Sequence, residues 1–173
     1  MNNYEAVVEQ YCPVIYKICR AYTAEQADFE DLYQEILIQL WKALPGFSGK
    51  SKLSTWVYRV ALNNALVYRR NLKRREDKQA RYAAEARWEA GQSSSHFSDD
   101  DVADKDQKGV ELLYTCIREL PKADRALIIL YLEEKKYHEI ADITGLTSSN
   151  VGVKINRIKK KLYKMLKESG YGN

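Results

Sequence analysis

Helix-breaking residues are scarce, with 8 glycines and 3 prolines in 173 residues. No segment alternates apolar and polar residues as a half-buried strand would. Collagen-like, low-complexity and β-rich architectures are therefore excluded, and a helical chain is expected. Cysteine is also scarce. Cys12, Cys19 and Cys116 make an odd set without a C-x-x-C pair, so they read as buried reduced thiols rather than a disulfide framework. His96 and His138 are the only histidines, too few for a zinc site, and neither a metal nor a cofactor is expected. Phosphate loops and nucleophile–base pairs are missing, so no catalytic residue is assigned and the chain reads as a non-enzyme. No apolar run approaches the roughly 20 residues of a membrane span. The opening MNNYEAVVEQ has no basic stretch followed by an apolar one, so neither export nor membrane insertion is expected and the location reads as cytoplasmic.

Charge is plentiful, at 30% of residues, and its distribution is uneven. The net value of +4 divides into −5 over residues 1–41, +8 over 42–90, −4 over 91–120 and +5 over 121–173. Two basic blocks, each preceded by an acidic one, suggest two separate contacts with a polyanion.

Apolar residues set the helices. Tyr4, Val7, Val8, Tyr11, Ile15, Ile18 and Tyr22 recur at three- and four-residue steps, with Pro13 either kinking that helix or starting a second. Leu32, Ile36, Leu40 and Leu44 mark a helix from about Asp28 that Pro45-Gly46 ends, and FSGKSK is a loop. The next helix opens near Leu53, capped by Ser51 or Ser54, and runs on through NLKRREDKQARYAAEARWEA. Residues 91–106, GQSSSHFSDDDVADKD, read as a flexible acidic linker. Periodicity resumes near Gly109 with Leu113, Cys116 or Ile117, and Leu120. The expected fold is all-α, with small helical domains over 1–90 and 110–173 joined by a linker over 91–109. The second is a helix-turn-helix without a wing.

That helix-turn-helix lies in KKYHEIADITGLTSSNVGVKINRIKKKLYKML. Tyr137 to Thr144 forms its first helix, with Ile140 and Ile143 inward and Ala141 small where a second helix passes. Gly145 suits the positive φ of a tight turn, and Thr147 or Ser148 caps the following helix. Val151, Ile155, Ile158, Leu162 and Met165 form the buried stripe. The opposite face carries Ser149, Asn150, Lys154, Asn156, Arg157, Lys160 and Lys161. A helix entering a major groove uses its first turns on base edges and its cations on phosphates.

The helix opening LSTWVYRVALNNALVYRR is different. At about 100° per residue, Trp56, Arg59, Asn63, Arg70 and Arg74 share one strip, beside a core face of Leu53, Val57 and Val60. An aromatic ring, an amide and guanidinium groups suit capture of unpaired bases. Trp56 alone is also compatible with a core residue at the helix start.

DFEDLYQEILIQLWKALPGFSGKSKLSTWVYRVALNNALVYRR resembles region 2 of bacterial RNA polymerase sigma factors of the extracytoplasmic-function (ECF) group. LPKADRALIILYLEEKKYHEIADITGLTSSNVGVKINRIKKKL resembles their region 4. The likeness spans about residues 4–75 and 110–166, in the family's order. It implies a promoter-specificity subunit that binds core RNA polymerase, is directed to promoter DNA and has an anti-sigma factor as a further partner. The D-L-x-Q-E pattern makes Asp31, Gln34, Glu35 and Ile38 the implied polymerase-docking residues. Phe47, Lys50, Lys52, Trp56, Arg59, Asn63 and Arg70 are the implied minus-ten residues. Ser149, Asn150, Gly152, Val153, Lys154, Asn156, Arg157 and Lys160 are the implied minus-thirty-five residues. Gly152 departs from the family, where many members carry a long polar side chain, and the loop GKSKL is this chain's own. Without the resemblance, a stand-alone helix-turn-helix regulator is the alternative.

Overall fold

The structure is a computed structural model that describes residues 4–86 and 105–170, with side chains described over 4–80 and 108–170. Seven α-helices and no strand occur among the described residues. They are α1 (Tyr4–Tyr22), α2 (Gln26–Ala43), α3 (Leu53–Ala86), α4 (Lys105–Arg118), α5 (Lys122–Leu132), α6 (Tyr137–Thr144) and α7 (Ser148–Glu168). Most of the expected linker lies outside the described residues. Its last five positions, 105–109, open α4, where Gly109 is buried.

α1, α2 and α3 pack on one another. The four-residue steps of α2 bury Leu32, Ile36 and Leu40 completely, and each such side chain contributes about 1.5–3 kcal/mol of burial. A 3₁₀ turn over Leu44–Gly46 then ends the helix, with Pro45 supplying a fixed φ. Pro13 does not start a new helix, because α1 runs unbroken through it. Proline lacks the amide that would bond the Glu9 carbonyl one turn back, and the Cys12 thiol donates to that carbonyl instead, at 3.4 Å. Cys12 is therefore half-buried and locally engaged, whereas Cys19 and Cys116 are the buried thiols expected from the sequence. Burial pushes the Cys19 thiol up to about 12.

α4 to α7 form the second bundle, with α5 and α6 both packed on α7. Gly145 ends α6 at φ 77°, a left-handed conformation that only glycine adopts without strain. Thr147 then caps α7, its hydroxyl oxygen accepting from the Asn150 amide at 3.3 Å. Val151, Ile155, Ile158 and Leu162 are buried, and Met165 is half-buried at the end of the stripe.

The two bundles are packed together, with α1 against α4 and α5 and with α3 against α6. Their buried residues form one continuous apolar cluster. Tyr22, 1% exposed, fills the joint. Its hydroxyl donates to the Lys122 carbonyl at 2.8 Å, and the Arg125 guanidinium lies 5.7 Å from its ring centroid. Around it Lys17 pairs with Glu133, Arg20 with Glu111, and Arg118 donates to the Arg20 carbonyl. This docking covers part of α3 with α6.

Candidate nucleic-acid interface

One face of α7 is open to solvent. Ser149, Asn150, Val153, Asn156, Arg157 and Lys160 are all exposed, while Gly152 and Lys154 are half-buried at its flanks. Val153, 71% exposed, is an apolar group standing among amides and cations. Apolar side chains in such a position suit a thymine methyl, and the amides suit base edges. The helix stands clear because its stripe buries the opposite side and Gly145 turns it across α6.

The second cluster sits where the loop after α2 meets α3. Phe47 and Trp56 are half-buried against each other, with ring centroids 5.3 Å apart and planes at 49°. Trp56 packs against the core, as one of its two readings expects, and its ring stays partly open. Lys50, Lys52, Arg59, Asn63 and Arg70 are exposed. Gly49 takes φ 72° and turns the loop back towards α3.

Two of these cations already have partners. The Arg59 guanidinium donates to the Asp142 carbonyl of α6, and Lys52 Nζ lies 3.8 Å from Glu139 Oε1. Beside them Lys135 stands over the Tyr58 ring, 5.1 Å from its centroid. Glu139 is also held from the other side, its Oε2 accepting from the Lys136 amide at 3.0 Å and so capping α6. That amide bond first, and then Lys52, Lys135 and His138, hold its carboxyl below the usual range.

A third surface lies on the far side of α2. Asp31, Gln34, Glu35 and Ile38 are exposed along one wall of a groove of about 460 Å³. Asn64, Val67, Tyr68, Asn71 and Arg75 of α3 form the other wall. Tyr68 donates to Asp28 Oδ1 at 3.0 Å, and burial together with that carboxylate pushes its phenol up. The sequence reading assigned only the α2 wall. Asn64, Tyr68, Asn71 and Arg75 recur at three- and four-residue steps, and that spacing was the available signal. The partners of Arg59 and Lys52 had no such signal, because they lie about 80 residues away in the chain.

Known proteins share this organisation. Residues 7–75 match the family model for sigma-70 region 2, and residues 111–162 match that for sigma-70 region 4. The two bundles are thus the two conserved parts of a sigma-70-type factor. The chain is 30% identical over 135 residues to the ECF RNA polymerase sigma-E factor of Escherichia coli (strain K12), which covers 77% of this chain and 71% of that protein. It belongs to the ECF RNA polymerase sigma factor family. It is also 39% identical over 74 residues to the ECF sigma factor SigG of Mycobacterium tuberculosis (strain ATCC 25618 / H37Rv). That match covers 43% of this chain but spans only 20% of SigG. The sigma factor RpoE of Bartonella quintana, solved in complex with the anti-sigma factor NepR, has the same fold. Its TM-score is 0.64 at 17% identity, over 96% of this chain and 98% of that one.

Proposed function

We propose that this chain is a promoter-specificity subunit that binds core RNA polymerase and directs it to a defined set of promoters, with no catalytic site of its own. The observation that carries this reading is the division of nucleic-acid chemistry between two faces. α7 offers amides, Val153 and cations suited to a duplex, whereas Phe47, Trp56, Asn63 and Arg59 suit an unpaired strand. A duplex reader alone has no use for the second set. The upstream promoter element docks on α7 through Ser149, Asn150, Gly152, Val153, Lys154, Asn156, Arg157 and Lys160. The minus-ten strand is held by Phe47, Lys50, Lys52, Trp56, Arg59, Asn63 and Arg70. Flipping a base out costs a few kcal/mol of unstacking, and stacking in this pocket offsets it. The groove walled by Asp31, Gln34, Glu35 and Ile38 receives the polymerase, and each weak DNA contact then gains from being tethered to the others. The solved RpoE is bound to an anti-sigma factor, and a comparable inhibitor is the expected regulatory partner here. No helix among the described residues is long and apolar enough to cross a membrane.

The test adds the purified chain to core RNA polymerase and scores transcription from a genomic promoter library. Start sites sharing two spaced motifs are expected. Specific duplex binding without polymerase binding would point instead to a stand-alone helix-turn-helix regulator. Within an active holoenzyme, Trp56→Ala and Asn63→Ala should impair promoter opening far more than association with core enzyme. Equal loss of both would remove the strand-capture role.

A further inference from the structure

Gly152 lies on the α6 flank of the open face of α7, and the ring of Tyr137 lies directly over it. A Cβ at position 152 would come 3.2 Å from Tyr137 Cε2, a separation so tight that the ring would have to give way. Tyr137 is the first residue of α6, 42% exposed, and it borders the same face that shows Ser149 and Asn156. Glu139 and Asp142, which touch Lys52 and Arg59 of the other bundle, lie on the opposite side of α6 at helical spacing. The closed packing therefore leaves Tyr137 uncovered. Its neighbours in the chain, Lys136 and His138, are exposed as well.

We propose that Tyr137 supplies the DNA contact that Gly152 cannot. Its ring is seated on the bare helix at Gly152, and its hydroxyl donates to a backbone phosphate beside the upstream promoter element. The bare position thus favours this seat: a Cβ at 152 would press on the ring at 137 and move it by a few tenths of an ångström. Position at the flank of the reading face, and not at its centre, assigns the contact to the backbone, which positions a protein without reading sequence. This inference rests on α7 being the promoter-contacting helix.

The experiment uses holoenzyme reconstituted from the full chain and core RNA polymerase, on an end-labelled promoter fragment recovered from the library screen. A photoreactive benzoyl-phenylalanine is placed at position 137 and, as a reference, at position 156. Both should crosslink to the upstream element. Tyr137→Phe, which keeps the ring and removes the hydroxyl, should weaken promoter binding roughly ten- to a hundredfold, as loss of a hydrogen bond to a charged group does. Core binding and thermal melting should stay unchanged. Gly152→Ala should weaken binding in the same direction, and adding it to Tyr137→Ala should cost little more, because both act on one contact. A crosslink from 156 but none from 137, with Tyr137→Phe binding normally, would overturn the proposal and leave the ring as packing alone. If Tyr137→Phe weakens binding and Gly152→Ala does not, the seat is wrong. A change of preference at one base pair would move the contact to a base edge and overturn the phosphate assignment. Crosslinking from neither position would show that α7 is not the promoter helix, and the underlying reading would fail with it.

Discussion

The open face of α7 and the amino-terminal end of α3 carry the same kinds of groups, yet they stand in different states. On α7, Asn156, Arg157 and Lys160 point into solvent. On α3 and the loop before it, Arg59 is bonded to an α6 carbonyl and Lys52 is paired with Glu139. The cations of the first face are shown to solvent, whereas two cations of the second share their donors with α6. Exposure alone does not separate them, since both sets are solvent-accessible by area. The partners of each cation make the difference.

The largest blow to that comparison should come from the joint that holds the bundles together. Tyr22→Ala removes a ring that is 1% exposed and should cost about 3 kcal/mol in denaturant unfolding, as deletion of buried aromatics does. Scattering should at the same time report a more extended protein. If stability fell and the dimensions did not change, Tyr22 would serve the α1 core and not the docking.

Removing a cation from the free face should act on DNA and nowhere else. Arg157→Ala should lower affinity at every promoter, and the log–log salt dependence should become shallower by roughly one phosphate contact. A change confined to sequence preference would move Arg157 to a base edge. On the engaged face, Arg59→Ala should release α6, seen as a few-fold faster amide exchange across Tyr137–Thr144. Asn156→Ala, on the free face, should leave that exchange unaltered.

The smallest effect concerns acid. Glu139 has its carboxyl held low by the Lys136 amide and by Lys52. A group lowered on folding contributes stability that is complete above its ordinary titration range. That contribution fades as pH falls through the depressed value in the folded protein. Protection of the α6 amides, taken relative to their intrinsic exchange rates at each pH, should therefore fall on acidification in the parent protein, and this part of the response should vanish in Glu139→Gln.

Legibility in the sequence followed the range of the interactions. The α6–α7 unit could be read because its determinants are local: an apolar stripe, Gly145 in a positive-φ turn, and Thr147 as cap. The α2 helix was readable for the same reason. The strip on α3 was half legible. Its exposed polar members Arg59, Asn63 and Arg70 were clear, but Tyr58, Ala61, Leu62 and Ala65 complete the buried face beyond Val57. α1 runs on through Pro13, and the carbonyl that the proline leaves without its usual donor, that of Glu9, accepts from the Cys12 thiol instead, a bond that no propensity contains. The docking of the bundles was illegible, because Tyr22 and Lys122, or Arg59 and Asp142, meet only after both bundles exist. The resemblance to sigma factors implied residues on α2 alone, and that Tyr68 and Arg75 face them across a groove emerges only from the packing of α2 on α3.

The contacts of α6 with Arg59 and Lys52 have a further consequence. A nucleic-acid strand whose phosphate took over the bond of Arg59 to the Asp142 carbonyl would compete with α6 for that guanidinium, as a ligand does with a group held in the same chain. A free inhibitor loses its hold on dilution, but a tethered one keeps the same local concentration at any protein level. The measured affinity for such a strand is then the intrinsic affinity reduced by the fraction of molecules in which α6 has let go. Each tenfold loss corresponds to about 1.4 kcal/mol of closure.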